Sequence, residues 1–112
     1  RSIAVTGVQT CALPISPVPS AAAAAFYAEW LEPAARLLAS GEGLTLVFPP
    51  AGHEHSAWRL SAVQSLAREH APARINAVAS DDEAGIAAAL AYLAAADGVT
   101  GQYLPLDSVG AG

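Results

Sequence analysis

The chain has 112 residues, a formal net charge of -5 and a pI near 4.9, and 54% of its residues are hydrophobic. That suits one small folded domain and is too apolar for a disordered chain, yet no run approaches the ~18 to 20 uninterrupted apolar residues of a membrane span, so no membrane partner is expected. The acidic balance, with five scattered arginines and no lysine, excludes a basic stripe for nucleic acid and any chemistry that needs a lysine amine within these residues.

Residues 1–16 read differently from the rest. They hold the polar stretch Val5-Thr6-Gly7-Val8-Gln9-Thr10 and the single Cys11, which has no intrachain disulfide partner and fits a reducing, cytoplasmic compartment. The segment Val5 to Ser16, VTGVQTCALPIS, resembles a translated sequencing-library adapter of the kind found at the ends of proteins from short-read assemblies. On that reading residues 1–16 are a non-native segment, residues 17–112 are the biological domain, and deleting the segment leaves the melting temperature nearly unchanged. Ile3-Ala4-Val5-Thr6-Gly7 is similar to the opening of a dinucleotide-binding βα unit, but Cys11 and Leu13 stand where glycines should follow, so no phosphate-cradling loop forms. A secretory signal is disfavoured because Thr6, Gln9 and Thr10 interrupt any apolar run.

Pro17-Val18-Pro19 is a stiff lead-in, and Ser20 is a fair cap for a helix through the alanine tract to about Ser40, kinked at Pro33. Gly41-Glu42-Gly43 stops it, and Leu44 to Phe48, LTLVF, has the continuous apolar pattern of a parallel strand covered on both faces. After a loop from Ala51 to His55, Ser56 caps a helix to about Ala71, with Ala62, Val63, Leu66 and His70 on one stripe and Pro72 closing it. Arg74 to Ala79 is a second strand. Ser80 with Glu83 suggests a capping box for a helix to Ala96 that turns Ile86, Leu90 and Leu93 inward, and Gln102 to Asp107 is a third strand before the small-residue tail from Ser108. The alternation predicts an α/β fold: a partial Rossmann-like parallel sheet of about three strands, with a fourth possible, joined by right-handed crossovers with helices on its faces.

Several segments in this order are similar to the C-terminal half of the short-chain dehydrogenase/reductase family, which has a Rossmann fold. They are Gly43 to Val47, then Leu66-Ala67-Arg68-Glu69-His70-Ala71-Pro72, Arg74-Ile75-Asn76-Ala77-Val78-Ala79, and Val99-Thr100-Gly101-Gln102 leading to Asp107. The resemblance implies a tyrosine that moves the hydroxyl proton, a lysine one helical turn later that holds the nicotinamide ribose, and a serine at the preceding strand's end. Aligned on His55-Ser56-Ala57-Trp58-Arg59, the tyrosine position is His55, the lysine position is Arg59, and the serine position falls at or near Pro49-Pro50. Ser80-Asp81 replaces the family's Pro-Gly, and the substrate-loop region is contracted to the helix from Asp81 to Ala96. These departures identify no catalytic and no cofactor-binding residue, so neither NAD nor NADP is expected.

Other residue groups have simpler readings. His53-Glu54-His55 offers three potential metal ligands, but with no further ligand at a defined spacing it reads as a polar solvent loop, and no metal is expected. Asp81, Asp82 and Glu83 suit the positive end of a helix. The sequence therefore predicts a non-catalytic short-chain dehydrogenase-like domain that self-associates; the alternative is a fragment or variant of an NAD(P)-dependent oxidoreductase acting on a carbonyl or alcohol. In the resembling family the corresponding helices pair across subunits, which implies a homodimer through helices 20–40 and 56–71. Phe26, Tyr27, Trp30, Trp58, Ala62 and Leu66 are its candidate anchors, on an apolar stripe left exposed by the small core.

Overall fold

Prolines decide how the helical first third is divided. In the computed structural model, which describes residues 6–10, 18–39 and 43–106, the first helix, α1 (Pro19–Glu29), starts one residue before the expected cap. Pro19 has the fixed φ of an initial helical residue and pushes Val18 into the extended conformation of the N-cap, so Ser20 lies inside the first turn. Pro33 cannot donate to the carbonyl of Glu29, and its ring crowds that group. The expected kinked helix is accordingly two helices: α1 ends at Glu29, Trp30 forms a turn, and α2 (Leu31–Ala39) restarts with Pro33 in its first turn, where no backbone donor is lost.

Four parallel strands follow the spatial order of the sequence: β1 (Thr6–Thr10), β2 (Gly43–Phe48), β3 (Ile75–Ala79) and β4 (Tyr103–Pro105). The register pairs Thr6 with Gly43, Leu44 with Ile75 and Ala77 with Tyr103. The fourth strand, left possible by the sequence, lies inside residues 1–16: Thr6–Thr10 adds to the open edge of β2. Its Val8 is half-exposed. Cys11, Ser40 to Glu42, Asp107 and the tail from Ser108 lie outside the described residues.

Alternation along the strands builds two unequal cores. Leu44, Leu46, Phe48, Ile75, Ala77 and Ala79 face Phe26, Ala34, Leu38, Ala62, Val63 and Leu66, from α1, α2 and α3 (Ser56–Glu69). On the opposite face Val47 and Val78 meet Leu93 of α4 (Glu83–Ala95), with Ile86, Ala89, Val99 and Leu104 packed around them. Each crossover steps one strand further in the same direction, yet α4 lies on the other face from α1 to α3. The β3–β4 crossover therefore has the opposite hand to the other two, so the connections are not uniformly right-handed as expected. The capping box is also replaced: Ser80 Oγ accepts from the Asp82 amide at 2.9 Å, and Asp82 is the true N-cap, its carboxylate accepting from Gly85 N at 2.9 Å. His70, expected on the buried stripe of α3, is instead its half-exposed C-cap.

The amino ends of β3 and β4 are tied by side chains. Asn76 donates to the Val99 carbonyl at 3.0 Å and accepts from Gln102 N at 3.1 Å, while Thr100 Oγ1 accepts from Ile75 N at 3.1 Å. Arg74 Nη1 donates to the carbonyls of Leu93 and Ala96, at 3.1 and 2.6 Å, and so closes the C-terminal end of α4. Gly101 makes the turn at a φ of 74° that side-chain-bearing residues rarely adopt, and its amide donates to Ile75 O at 2.7 Å.

Asn76 is 3% exposed. Asn76→Ala should destabilise the domain by about 2 kcal/mol or more, because Val99 O and Gln102 N lose buried partners, as urea denaturation will measure. A chain lacking residues 1–10 exposes the edge of β2 and should melt about 5 °C lower or more, the scale of ~1 kcal/mol in a domain of this size. An unchanged midpoint in differential scanning calorimetry would mean that β1 adds nothing to the fold.

Candidate functional site

The chain leaves β2 toward α3 on one face and β3 toward α4 on the other. Neighbouring strands that diverge in this way open a crevice beyond their carboxyl ends, the usual ligand position in open α/β sheets. Two segments flank it here, Pro49 to His55 and Ser80 to Asp82, with the start of α3 and the side chain of Tyr103 alongside. The loop expected from Ala51 to His55 contains a single 3₁₀ turn, His53–His55, so His55 becomes the N-cap of α3 and Ser56 its first residue.

Arg59, one helical turn after His55, points into the protein. It is 1% exposed. Its Nη1 donates to Pro49 O and to Tyr103 Oη, both at 3.0 Å. The guanidinium carbon lies 4.5 Å from the centre of the Phe48 ring, 5.6 Å from that of Trp58 and 5.9 Å from that of Tyr103. Stacking on rings partly offsets the cost of burying the cation, and planar arginine achieves this where lysine would not. Both hydrogen-bond acceptors are neutral, and among the described residues the buried Nε has no hydrogen-bond partner.

His55 is also buried, at 2% exposure, and its Nδ1 accepts from Trp58 Nε1 at 3.0 Å. In the neutral ring the proton is thereby placed on Nε2. His55 and Arg59 thus occupy adjacent turns but are held by different partners, a tryptophan for one and a proline carbonyl with a phenol for the other. His53 and Glu54 face solvent while His55 faces the core, and among the described residues no group of three His, Cys, Asp or Glu side chains converges. A cavity of about 400 Å3 opens beside this cluster, lined by His53, Glu54, Ser56, Ala57, Leu60 and Tyr103.

The six candidate anchors separate into two groups. Phe26, Ala62 and Leu66 are buried in the single chain's own core, at 3%, 1% and 1% exposure, so they form no exposed stripe, contrary to expectation. The reason is the packing of α1 against α3 over β2: Phe26 meets Phe48 and Trp58 with ring centres 5.5 and 5.7 Å apart. Trp30 and Trp58 are partly buried against the same cluster, and Tyr27 remains exposed at 41%. The sequence reading missed Tyr103. It is the first residue of β4, in register with Ala77, and no local signal in the sequence brings its hydroxyl to Arg59.

An open parallel sheet with helices on both faces, and a crevice where its connections diverge, defines a partial Rossmann-like α/β domain. Residues 11–106 match the family described as Short chain dehydrogenase-like protein, and the chain belongs to that family. Comparison with curated proteins and with solved structures gives no match.

Replacing a buried ion by an apolar side chain of similar length is often neutral. Arg59→Met should accordingly keep stability within about 1 kcal/mol of the parent, whereas Arg59→Lys should lose about 2 kcal/mol or more through its missing stacking and fork geometry. Urea midpoints of the two variants give the comparison, and the reverse order would show that Arg59 is held by its charge alone.

Proposed function

We propose that this protein is a non-catalytic member of the short-chain dehydrogenase-like family that acts as a self-associating structural domain in the cytoplasm, without NAD or NADP. The observation that carries the reading is the fate of Arg59. At the position where the resemblance expects a solvent-reaching lysine beside a ribose, the side chain is folded into the core and bonded to Pro49 O and Tyr103 Oη. Beside it, the expected tyrosine is His55, whose Nδ1 is engaged by Trp58, and the expected serine falls at or near Pro49-Pro50. Among the described residues no helix is long and apolar enough to cross a membrane.

Self-association would use the outer surfaces of α1, α2 and α3. With Phe26, Ala62 and Leu66 in the core, the exposed apolar residues there are Tyr27 and Leu37, at 41% and 42% exposure, flanked by partly buried Trp30. Alanines along α1 and α3 allow close helix approach, and a symmetric pair would meet through the same patch on both copies. The alternative, a fragment or variant of an NAD(P)-dependent oxidoreductase, draws on family membership alone.

Light scattering at micromolar concentration should give a dimer of the 11.3 kDa chain, and Tyr27→Glu, which leaves the core intact, should give a folded monomer. Titration with NADH or NADPH should produce no saturable fluorescence change. A folded monomer of the parent chain sinks the self-association reading, and micromolar cofactor binding competed by adenine nucleotides favours the oxidoreductase.

A further inference from the structure

From Leu44 to Phe48 every residue of β2 is apolar except Thr45, and Thr45 is 1% exposed. Leu44, Leu46 and Phe48 face α1 to α3, so alternation turns Thr45 to the face that α4 covers, beside its register partner Asn76. Burying a hydroxyl is costly unless it is hydrogen-bonded. Among the described residues no group bonds Thr45 Oγ1. The hydroxyl oxygen nevertheless keeps a little accessible surface, so it borders a space that water can touch.

That space is a cavity of about 10 Å3 lined by Gly43, Leu44, Thr45, Arg74, Asn76 and Leu93. It has room for one water and little more. Three of the lining side chains offer what a water bonds. Thr45 Oγ1 both donates and accepts. Asn76 Nδ2 gives one N–H to Val99 O and, among the described residues, keeps the other. Arg74 meets the carbonyls of Leu93, Ala96 and Val99 through Nη1, and among the described residues its Nε and Nη2 keep their donors. A polar pocket of this size with two to four such neighbours suits an internal water, whereas one lined by apolar side chains alone stays dry. An anion is not called for, because the charge of Arg74 already faces carbonyls at the negative end of α4.

We infer that this cavity holds one internal water, which donates to Thr45 Oγ1 and accepts from Asn76 Nδ2–H and from Arg74. The water joins β2 to β3 and, through Arg74, to the carboxyl end of α4. It explains how the one polar residue of β2 is tolerated inside the thinner of the two cores. The inference needs neither self-association nor the loss of catalysis, so it stands or falls separately from the function proposed above.

The test is water–protein cross-relaxation, measured by nuclear magnetic resonance on the intact chain. Contacts from water to the Leu93 methyl groups and to the Asn76 side-chain amide should carry the sign of a bound water rather than a passing one. Leu93 has no exchangeable side-chain proton, so proton exchange within that side chain cannot mimic its contact. Thr45→Val, which keeps the shape and removes the hydroxyl, should lose both contacts, and Thr45→Ser should retain them. Absence of the contacts in the parent chain, or contacts undiminished in a folded Thr45→Val, overturns the assignment. So do saturable shifts at Thr45 and Asn76 when chloride replaces sulfate at matched ionic strength, since the occupant is then an anion. If Thr45→Val does not fold, the parent and Thr45→Ser decide: contacts in both support the water, and their absence from either overturns it.

Discussion

Everything in this fold is organised around the pairing of β2 with β3. Residues 44–48 and 75–79 are buried without exception, so both faces of this strand pair must be covered by something. Parallel strands impose that demand because each connection lays a helix on a face, and a continuous apolar strand is stable only between two layers. On one face α1, α2 and α3 supply the cover; on the other α4 supplies it alone. The crossover of opposite hand follows from that requirement: a fourth helix on the crowded face would leave Val47 and Val78 in water. The two-residue link after Ser80, held by the Ser80 Oγ and Asp82 carboxylate bonds, is what redirects the chain.

This arrangement separates the two ends of the sheet by task. At the amino ends of β3 and β4, the segments that carry the family resemblance, RINAV and VTGQ, are bonded to each other through Asn76, Thr100 and the Gly101 amide. Their similarity to the family is therefore a similarity of fold-making contacts. Toward the carboxyl ends lie His55 and Arg59, both turned inward. The contacts that tie β3 to β4 at the amino ends and the residues turned inward at the carboxyl ends are thus separate sets.

Much of the architecture was legible in order and periodicity. The LTLVF and RINAVA runs, the glycine after α4 and the acidic start of that helix placed the strands and helices within a few residues. What escaped the sequence depended on more than one element at a time. Pro33 could be recognised as a breaker, but whether it kinks a helix or begins a new one depends on whether Glu29 can end the first, which is settled by how Trp30 packs on the core. Likewise Phe26, Ala62 and Leu66 have the composition of interface anchors and of core residues alike; only the approach of α1 to α3 over β2 distinguishes them. Residues 6–10 escaped for a different reason. A short β-prone stretch at an open parallel edge can pair through its backbone whatever its origin, and composition alone carries no sign of it.

The site beyond the strand ends shows the same dependence on long-range contacts. Arg59 was legible only as a substitution for lysine, and Tyr103 not at all, since the two are 44 residues apart and meet only when β4 is added to the sheet. Once they meet, the chemistry is constrained by elementary rules: arginine can only donate, the phenol oxygen must accept, and the phenolic proton is directed to whatever stands beyond. A lysine at position 59 could have reached solvent or a ligand directly, whereas the stacked guanidinium acts through Tyr103. The buried guanidinium is therefore felt beyond the strand ends only through the phenol that it bonds, a residue of the last strand.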